Sequence, residues 1–159
     1  MRLTMFLPIA ALALSACASA PAPAAAPVTR VVSTTSFGMC VGYCTTRLEL
    51  SEGQAVLIRE PRGGRGAAIN HHAQPQRFSR ALSVAEWRDI QRLAAQTDLT
   101  AVPDVVGYPD CADGGAESLT IEGPSGAESV ALEYRAALPQ AQGLLERVRA
   151  LRDELTPTE

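Results

Sequence analysis

From residue 28 onward, apolar and polar positions fall into short runs of two distinct periods. Leu48 and Leu50 alternate with Arg47 and Glu49, the period-two pattern of a half-buried strand over 46–51. Ser51-Glu52-Gly53 supplies a turn, and Ala55, Val56, Leu57 and Ile58 supply a returning strand over 54–59, so the pair reads as a hairpin. Leu119 and Ile121 alternate with Thr120 and Glu122. After Gly123-Pro124-Ser125-Gly126, Val130, Leu132 and Tyr134 alternate with Ala131 and Glu133, which predicts a second hairpin. Val31-Val32 marks a further strand, and Arg77-Phe78-Ser79 a short edge strand in the otherwise ambiguous stretch 67–80.

Two segments change to the helical period. Over 83–96, Val84, Trp87, Ile90, Leu93 and Ala94 share one face, and Ser83 with Glu86 forms a capping box in which each side chain satisfies a backbone N–H at the helix start. Trp87, the only tryptophan, is expected in the core. Over 139–155 the stripe is Ala141, Leu144, Leu145, Val148, Leu151 and Leu155, with Pro139 suited to the first turn. Gly143 inside this helix costs about 1 kcal/mol relative to alanine, so close packing is expected there. Hairpins dominate and no βαβ crossover is visible. The pattern predicts an α+β fold: a small antiparallel sheet built from hairpins, with two packed helices at about 83–96 and 139–155.

Residues 1–27 are different in kind. They hold 19 apolar residues, ten of them alanine, whereas residues 28–159 hold 55 in 132, an ordinary fraction for one soluble domain. Met1-Arg2 followed by Leu3, Phe6, Leu7, Ile9, Leu12 and Leu14 has the charge and length of a secretory signal. Leu14-Ser15-Ala16-Cys17 resembles the lipobox of bacterial lipoproteins. The resemblance implies that residues 1–16 are removed and that Cys17 carries a diacylglycerol and an acylated amine. Each buried CH₂ contributes ~0.8 kcal/mol, so two or more chains anchor stably. Ala18 stands where an aspartate would favour the inner membrane, which implies an outer-membrane anchor facing the periplasm in a Gram-negative host. Residues 17–27 continue as an uncharged Ala/Pro tether with a reach of roughly 30 Å. The remaining 28–159 form a single domain.

Net charge is −3, or −4 once Arg2 is lost (13 basic against 17 acidic residues), which argues against nucleic acid as a partner. No segment after residue 17 approaches the ~18 apolar residues of a membrane span. All 14 basic residues are arginine. The membrane, through the lipid, and an envelope protein are the expected partners.

Beyond Cys17 the chain has Cys40, Cys44 and Cys111. In an oxidising compartment an odd count implies one bridge and one leftover thiol. A bridge from Cys40 or Cys44 to Cys111 closes a loop of about 70 residues and is worth roughly 4 kcal/mol in the chain-entropy model. A Cys40–Cys44 bridge closes a small loop and is worth less, so a Cys111 bridge is expected, with its partner left open. Ser36-Phe37-Gly38-Met39-Cys40-Val41-Gly42-Tyr43-Cys44 and Asp110-Cys111-Ala112-Asp113-Gly114-Gly115-Ala116-Glu117 resemble the two motifs of a bacterial secreted and lipoprotein family of unknown function. The second family motif reads Cys-Pro-Asp-Cys-Ala-Asp-Gly-Gly-Ala-Glu-Trp. The resemblance spans about residues 31–155 and implies a small α+β domain with no known activity. Tyr108 replaces the first cysteine of that motif and Ser118 its tryptophan, which accounts for the odd count.

Thiolates and imidazoles suit Zn or Cu(I), so Cys40, Cys44 and Cys111 with His71 or His72 make a candidate metal set. A thioredoxin-like βαβ pattern, on which comparable copper carriers are built, is missing, and two solvated loop histidines are the simpler reading. A Cys–His catalytic pair would need an activated, exposed thiolate. Asp110, Asp113 and Glu117 form an acidic loop candidate for Ca²⁺, but the spacing is not that of an EF-hand, and Asp and Gly make turns unaided. Arg59, Arg62 and Arg65 form a small basic loop. No Walker loop, GxSxG, HExxH or nucleotide fingerprint occurs, and no cofactor is expected. The leading expectation is a non-enzymatic binding or structural module on a lipid anchor. The alternative is a periplasmic metal-binding or thiol-redox protein using Cys40, Cys44 and Cys111.

Overall fold

The computed structural model describes residues 27–62 and 73–158. Its elements are β1 (Arg30–Ser36), β2 (Tyr43–Ser51), β3 (Gln54–Pro61), β4 (Gln76–Ala81), α1 (Val84–Ala95), β5 (Val105–Val106), β6 (Ala116–Gly123), β7 (Gly126–Glu133) and α2 (Gln142–Leu155). The strands form one seven-stranded sheet in the order β4-β3-β2-β1-β6-β7-β5. All neighbours are antiparallel except β5 and β7, which run parallel through Val105–Ala131 and Val106–Leu132.

The α+β class is therefore correct, but the expected small antiparallel sheet is too small and too uniform. The reason lies in β1. It pairs with β2 along 30–36 against 45–51 and with β6 along 30–36 against 116–122, so it joins both hairpins into one sheet. Only Val31-Val32 announced it. Its other helix-facing residues are Ser33 and Thr35, buried yet polar, so hydropathy alternation does not reveal them. The Arg77–Ser79 segment is indeed an edge strand, β4. The two-residue β5 is too short to leave a pattern at all.

Register sorts the sheet into two faces. The row Ser33, Leu119, Val130, Leu48, Leu57 and Phe78 faces the helices, as does the row Val31, Leu50 and Ala55. Against it pack Trp87 and Ile90 of α1 and Leu144, Leu145, Val148 and Leu151 of α2. The opposite face carries paired charges: Arg30 reaches Glu49 at 3.1 Å and Glu122 at 3.4 Å, and Arg47 reaches Glu49 at 3.2 Å. No helix covers it.

The capping box forms as the sequence predicts. Ser83 Oγ accepts from the Glu86 N–H at 3.2 Å, and Glu86 Oε2 accepts from the Ser83 N–H at 2.9 Å. A hydrogen bond from Arg80, then those from Ser83, lower the Glu86 carboxyl to about 2. The terminal helix starts with a 3-10 turn, Pro139–Ala141, before α2. A Cβ on Gly143 would lie 3.1 Å from Leu93 Cδ2, which is the close α1–α2 approach its presence implied. Among the described residues no helix is long and apolar enough to cross a membrane.

Candidate functional site

The strand directions place both cysteine motifs at one end of the sheet. β1 finishes there at Ser36, β2 starts at Tyr43, β6 starts at Ala116 and β7 finishes at Glu133. The chain enters at the other end, where Thr29 N–H donates to Glu122 O at 2.8 Å and Gln91 Nε2 donates to Val28 O at 3.0 Å.

Two loops build the cysteine end, and four contacts hold them in place. The Gly38 N–H donates to Asp110 Oδ1 at 3.1 Å. The Gly115 carbonyl accepts from the Asp110 N–H at 3.0 Å and from the Tyr134 N–H at 3.2 Å. The Phe37 ring meets Tyr134 edge-on, with centroids 4.8 Å apart. The glycines are demanded by this closeness. A Cβ on Gly38 would sit 2.8 Å from Asp110 Oδ2, and one on Gly115 (φ +82°) would run into the Phe37 ring. Asp110, Ala112 and Asp113 also adopt positive φ, of 59°, 50° and 63°. Aspartate tolerates that region and alanine rarely visits it, so the surrounding contacts hold the turn in a strained shape.

A disulfide joins Cys40 to Cys44, with Cα atoms 5.5 Å apart, and Cys111 is an exposed free thiol. The expected bridge to Cys111 does not form. Loop entropy is a property of the unfolded chain, whereas pairing requires native proximity. The 37–42 loop returns on itself tightly enough to bring Cys40 to Cys44, which sits buried at the irregular start of β2. Cys111 instead sits on the outward turn closed by its own N–H to Tyr108 O at 3.1 Å. The Cys40–Cys44 link closes about five residues, so Cys40→Ala with Cys44→Ala is expected to cost about 2 kcal/mol, checked by urea unfolding under oxidising conditions.

The acidic loop candidate comes apart. Asp110 serves the Gly38 clip, and Asp113 is exposed. Glu117 points to the helix face and is buried. There Arg149 Nε and Nη2 donate to Glu117 Oε2 at 3.0 and 2.7 Å, and Arg152 Nη2 donates to Oε1 at 2.8 Å. Arg152 Nη1 donates to Ser33 Oγ at 2.8 Å, and Arg149 Nη2 to Ala136 O at 2.9 Å. Burial pushes the Glu117 carboxyl up, but hydrogen bonds from Arg149 and then Arg152 pull it further down, below the ordinary carboxylate range. With both oxygens engaged by guanidiniums, Glu117 is a structural anion rather than a general base.

His71, His72 and Arg65 lie outside the described residues, as does Cys17. Arg62 donates to Cys40 O at 3.4 Å, and Arg59 lies over the Tyr43 ring at 4.9 Å, so neither faces solvent as a free cation of a basic loop. Among the described residues no group of three or more His, Cys, Asp or Glu side chains is placed to hold a metal ion. A groove of about 220 Å³ at the opposite end is lined by small residues such as Ala94, Gly123 and Ala127, with Glu128 the only ionisable side chain among the described residues that line it.

Three large apolar side chains stand outward at the cysteine end. Met39 is 71%, Val41 83% and Tyr108 78% exposed, on the two loops that the Gly38–Asp110 bond ties together. Exposed apolar side chains gathered on fixed loops are characteristic of interaction surfaces. The sequence pointed to these loops through their cysteines and glycines, not through these three residues. Comparison of the chain with protein-family models and with curated proteins gives no match.

Proposed function

We propose that this chain is a lipid-anchored protein of the bacterial envelope whose domain is a non-enzymatic binding module. In this reading residues 1–16 are a signal peptide, Cys17 carries the lipid, and the outer membrane holds the anchor in a Gram-negative host. The observation that carries the binding role is the exposure of Met39, Val41 and Tyr108 on two loops joined by the Gly38–Asp110 bond. Its position supports presentation to a partner. The chain enters at one end of β1 and the cluster lies beyond the other, so a seven-residue strand, roughly 23 Å, separates tether from tip.

The anchor is tested by metabolic labelling with radioactive palmitate and fractionation of the expressing cell. The full chain is expected to label and to sediment with membranes, and Cys17→Ala to do neither. Equal behaviour of the two would refute the anchor.

The second reading, a metal-binding or thiol-redox protein using Cys40, Cys44 and Cys111, draws its support from the exposed Cys111 thiol. Thiol counting separates the two. The binding module has one reactive thiol before reduction and three after, without metal. Three reactive thiols in the unreduced protein, with stoichiometric metal, favour the second reading.

A further inference from the structure

We propose that the groove at the entry end seats the chain's own Ala/Pro segment, residues 20–26, which crosses it and adds a short strand to the open edge of β7. The groove, of about 220 Å³, is a cleft between the end of α1 and the β6–β7 turn, walled by Val28, Ala94, Ala95, Gly123, Ala127 and Glu128. The chain already enters along it. Gln91 of α1 donates to the Val28 carbonyl at 3.0 Å, and the Pro27 carbonyl lies 3.8 Å from where a Cβ on Gly123 would stand. The residues immediately before are Ala24-Ala25-Ala26. Methyl side chains pass between walls of alanine and glycine without displacing them, and the segment brings no charge against Glu128.

The groove leads to an unused strand edge. The Ala131 N–H donates to Asp104 O at 2.8 Å, on the β5 side of β7. Alternation along the strand aims the N–H and C=O of Ser129 and Ala127 the same way. β5 begins at Val105, opposite Ala131, so among the described residues no strand faces those groups. From Val28 to that edge is three strand spacings, roughly 14 Å, which about four extended residues span. Residues 24–27 therefore fill the groove, and residues 20–23 fall beside Ala127 and Ser129, antiparallel to β7. The prolines suit this register. Pro21 and Pro23 stand two apart, so their missing donors share one side of an extended chain, while Ala20 and Ala22 present N–H and C=O on the other. Proline is tolerated in a sheet when its donorless side faces solvent, as on an outermost strand. In the anchored reading only residues 17–19 then remain free, which holds the entry end of the domain at the bilayer. The groove lies at the opposite end of the sheet from the loops that carry the binding reading, and it stands or falls separately from them.

The test is amide hydrogen exchange on the full chain in neutral detergent, at low and at high protein concentration. The Ala127 and Ser129 amides are expected to exchange slowly at both. Ala20→Pro with Ala22→Pro removes the inward donors and sets rings against β7, and is expected to speed those two amides about tenfold. Ser19→Pro adds a proline on the outward side and is expected to leave them unchanged. Ala95→Trp fills the groove from an exposed helix position. It is expected to act like the double proline variant and to open Ala24–Ala26 to a protease that cuts after alanine. The Leu119 amide, in the middle of the sheet, reports that each variant is folded. Fast exchange at Ala127 and Ser129 in the parent overturns the proposal, as does equal exchange in the parent and the double proline variant. An effect of Ser19→Pro as large as that of the double variant overturns the strand register. Protection that appears only at high concentration overturns it in favour of a second copy's segment.

Discussion

Replacing Glu117 with alanine is expected to lower the unfolding free energy by about 3–5 kcal/mol, because it strands two guanidiniums around one emptied position. The Arg152 side chain is only 5% exposed and that of Arg149 15%, so water cannot replace the lost carboxylate cheaply. A domain of this size has roughly 5–15 kcal/mol in total, so the variant should sit close to its unfolding threshold at room temperature. Urea unfolding of both proteins measures the difference. Removing the whole cluster should behave oppositely. Glu117→Leu with Arg149→Met and Arg152→Met is expected to fall near the parent, since a buried ion cluster is strongly destabilising to break and nearly neutral to replace with apolar residues of similar size. A triple variant as weak as the single one would show that packing, not uncompensated charge, sets the cost. The same cluster has an acid signature. The folded carboxyl lies below its ordinary value, so its contribution is complete above the ordinary carboxylate range and is lost as pH falls through the folded value. Glu117→Gln should flatten that acid limb of the stability curve.

Gly115→Ala is expected to cost about 2–4 kcal/mol, the sum of a side chain at φ +82° and an overpacked contact. The new methyl would meet the Phe37 ring, which is itself set edge-on to Tyr134. Either the ring swings out or the backbone shifts, and both disturb the carbonyl that accepts from Asp110 and Tyr134. The measurement is the urea midpoint at unchanged slope, together with faster hydrogen exchange at the Asp110 amide. A variant with parental stability and parental exchange would show that the two loops are not locked through this residue.

Much of this architecture can be read from residue order alone, and the exceptions have identifiable causes. The hairpins at 46–59 and 119–134 and both helices carry their periods openly, because each buries one face against a single core. β1 is obscured by its burial of Ser33 and Thr35, chosen to meet Arg152 and to lie beside Glu117. Arg152 was nonetheless detectable in principle. It falls four residues after Val148 and three before Leu155, on the apolar stripe of its own helix, where a charge demands a partner. Glu117, a charged residue near the start of a strand, is close in sequence to Asp110 and Asp113 but not in space. The alternation of strand side chains sends it to the other side of the sheet. The cysteine pairing is not legible in the sequence, because the entropic argument for a long loop says nothing about which thiols meet. His71 and His72 lie outside the described residues.

The central position of β1 governs when this domain is able to fold. Arg30 must wait for Glu122, and Ser36 for Ala116, so the middle of the sheet joins residues separated by most of the chain. Such non-local pairing is entropically slow. The β2–β3 and β6–β7 hairpins are local and can form early, but neither acquires a common core until β1 lies between them. A chain emerging N-terminus first therefore keeps its sheet open until β6 and β7 have followed. Folding order is in this way set by one strand.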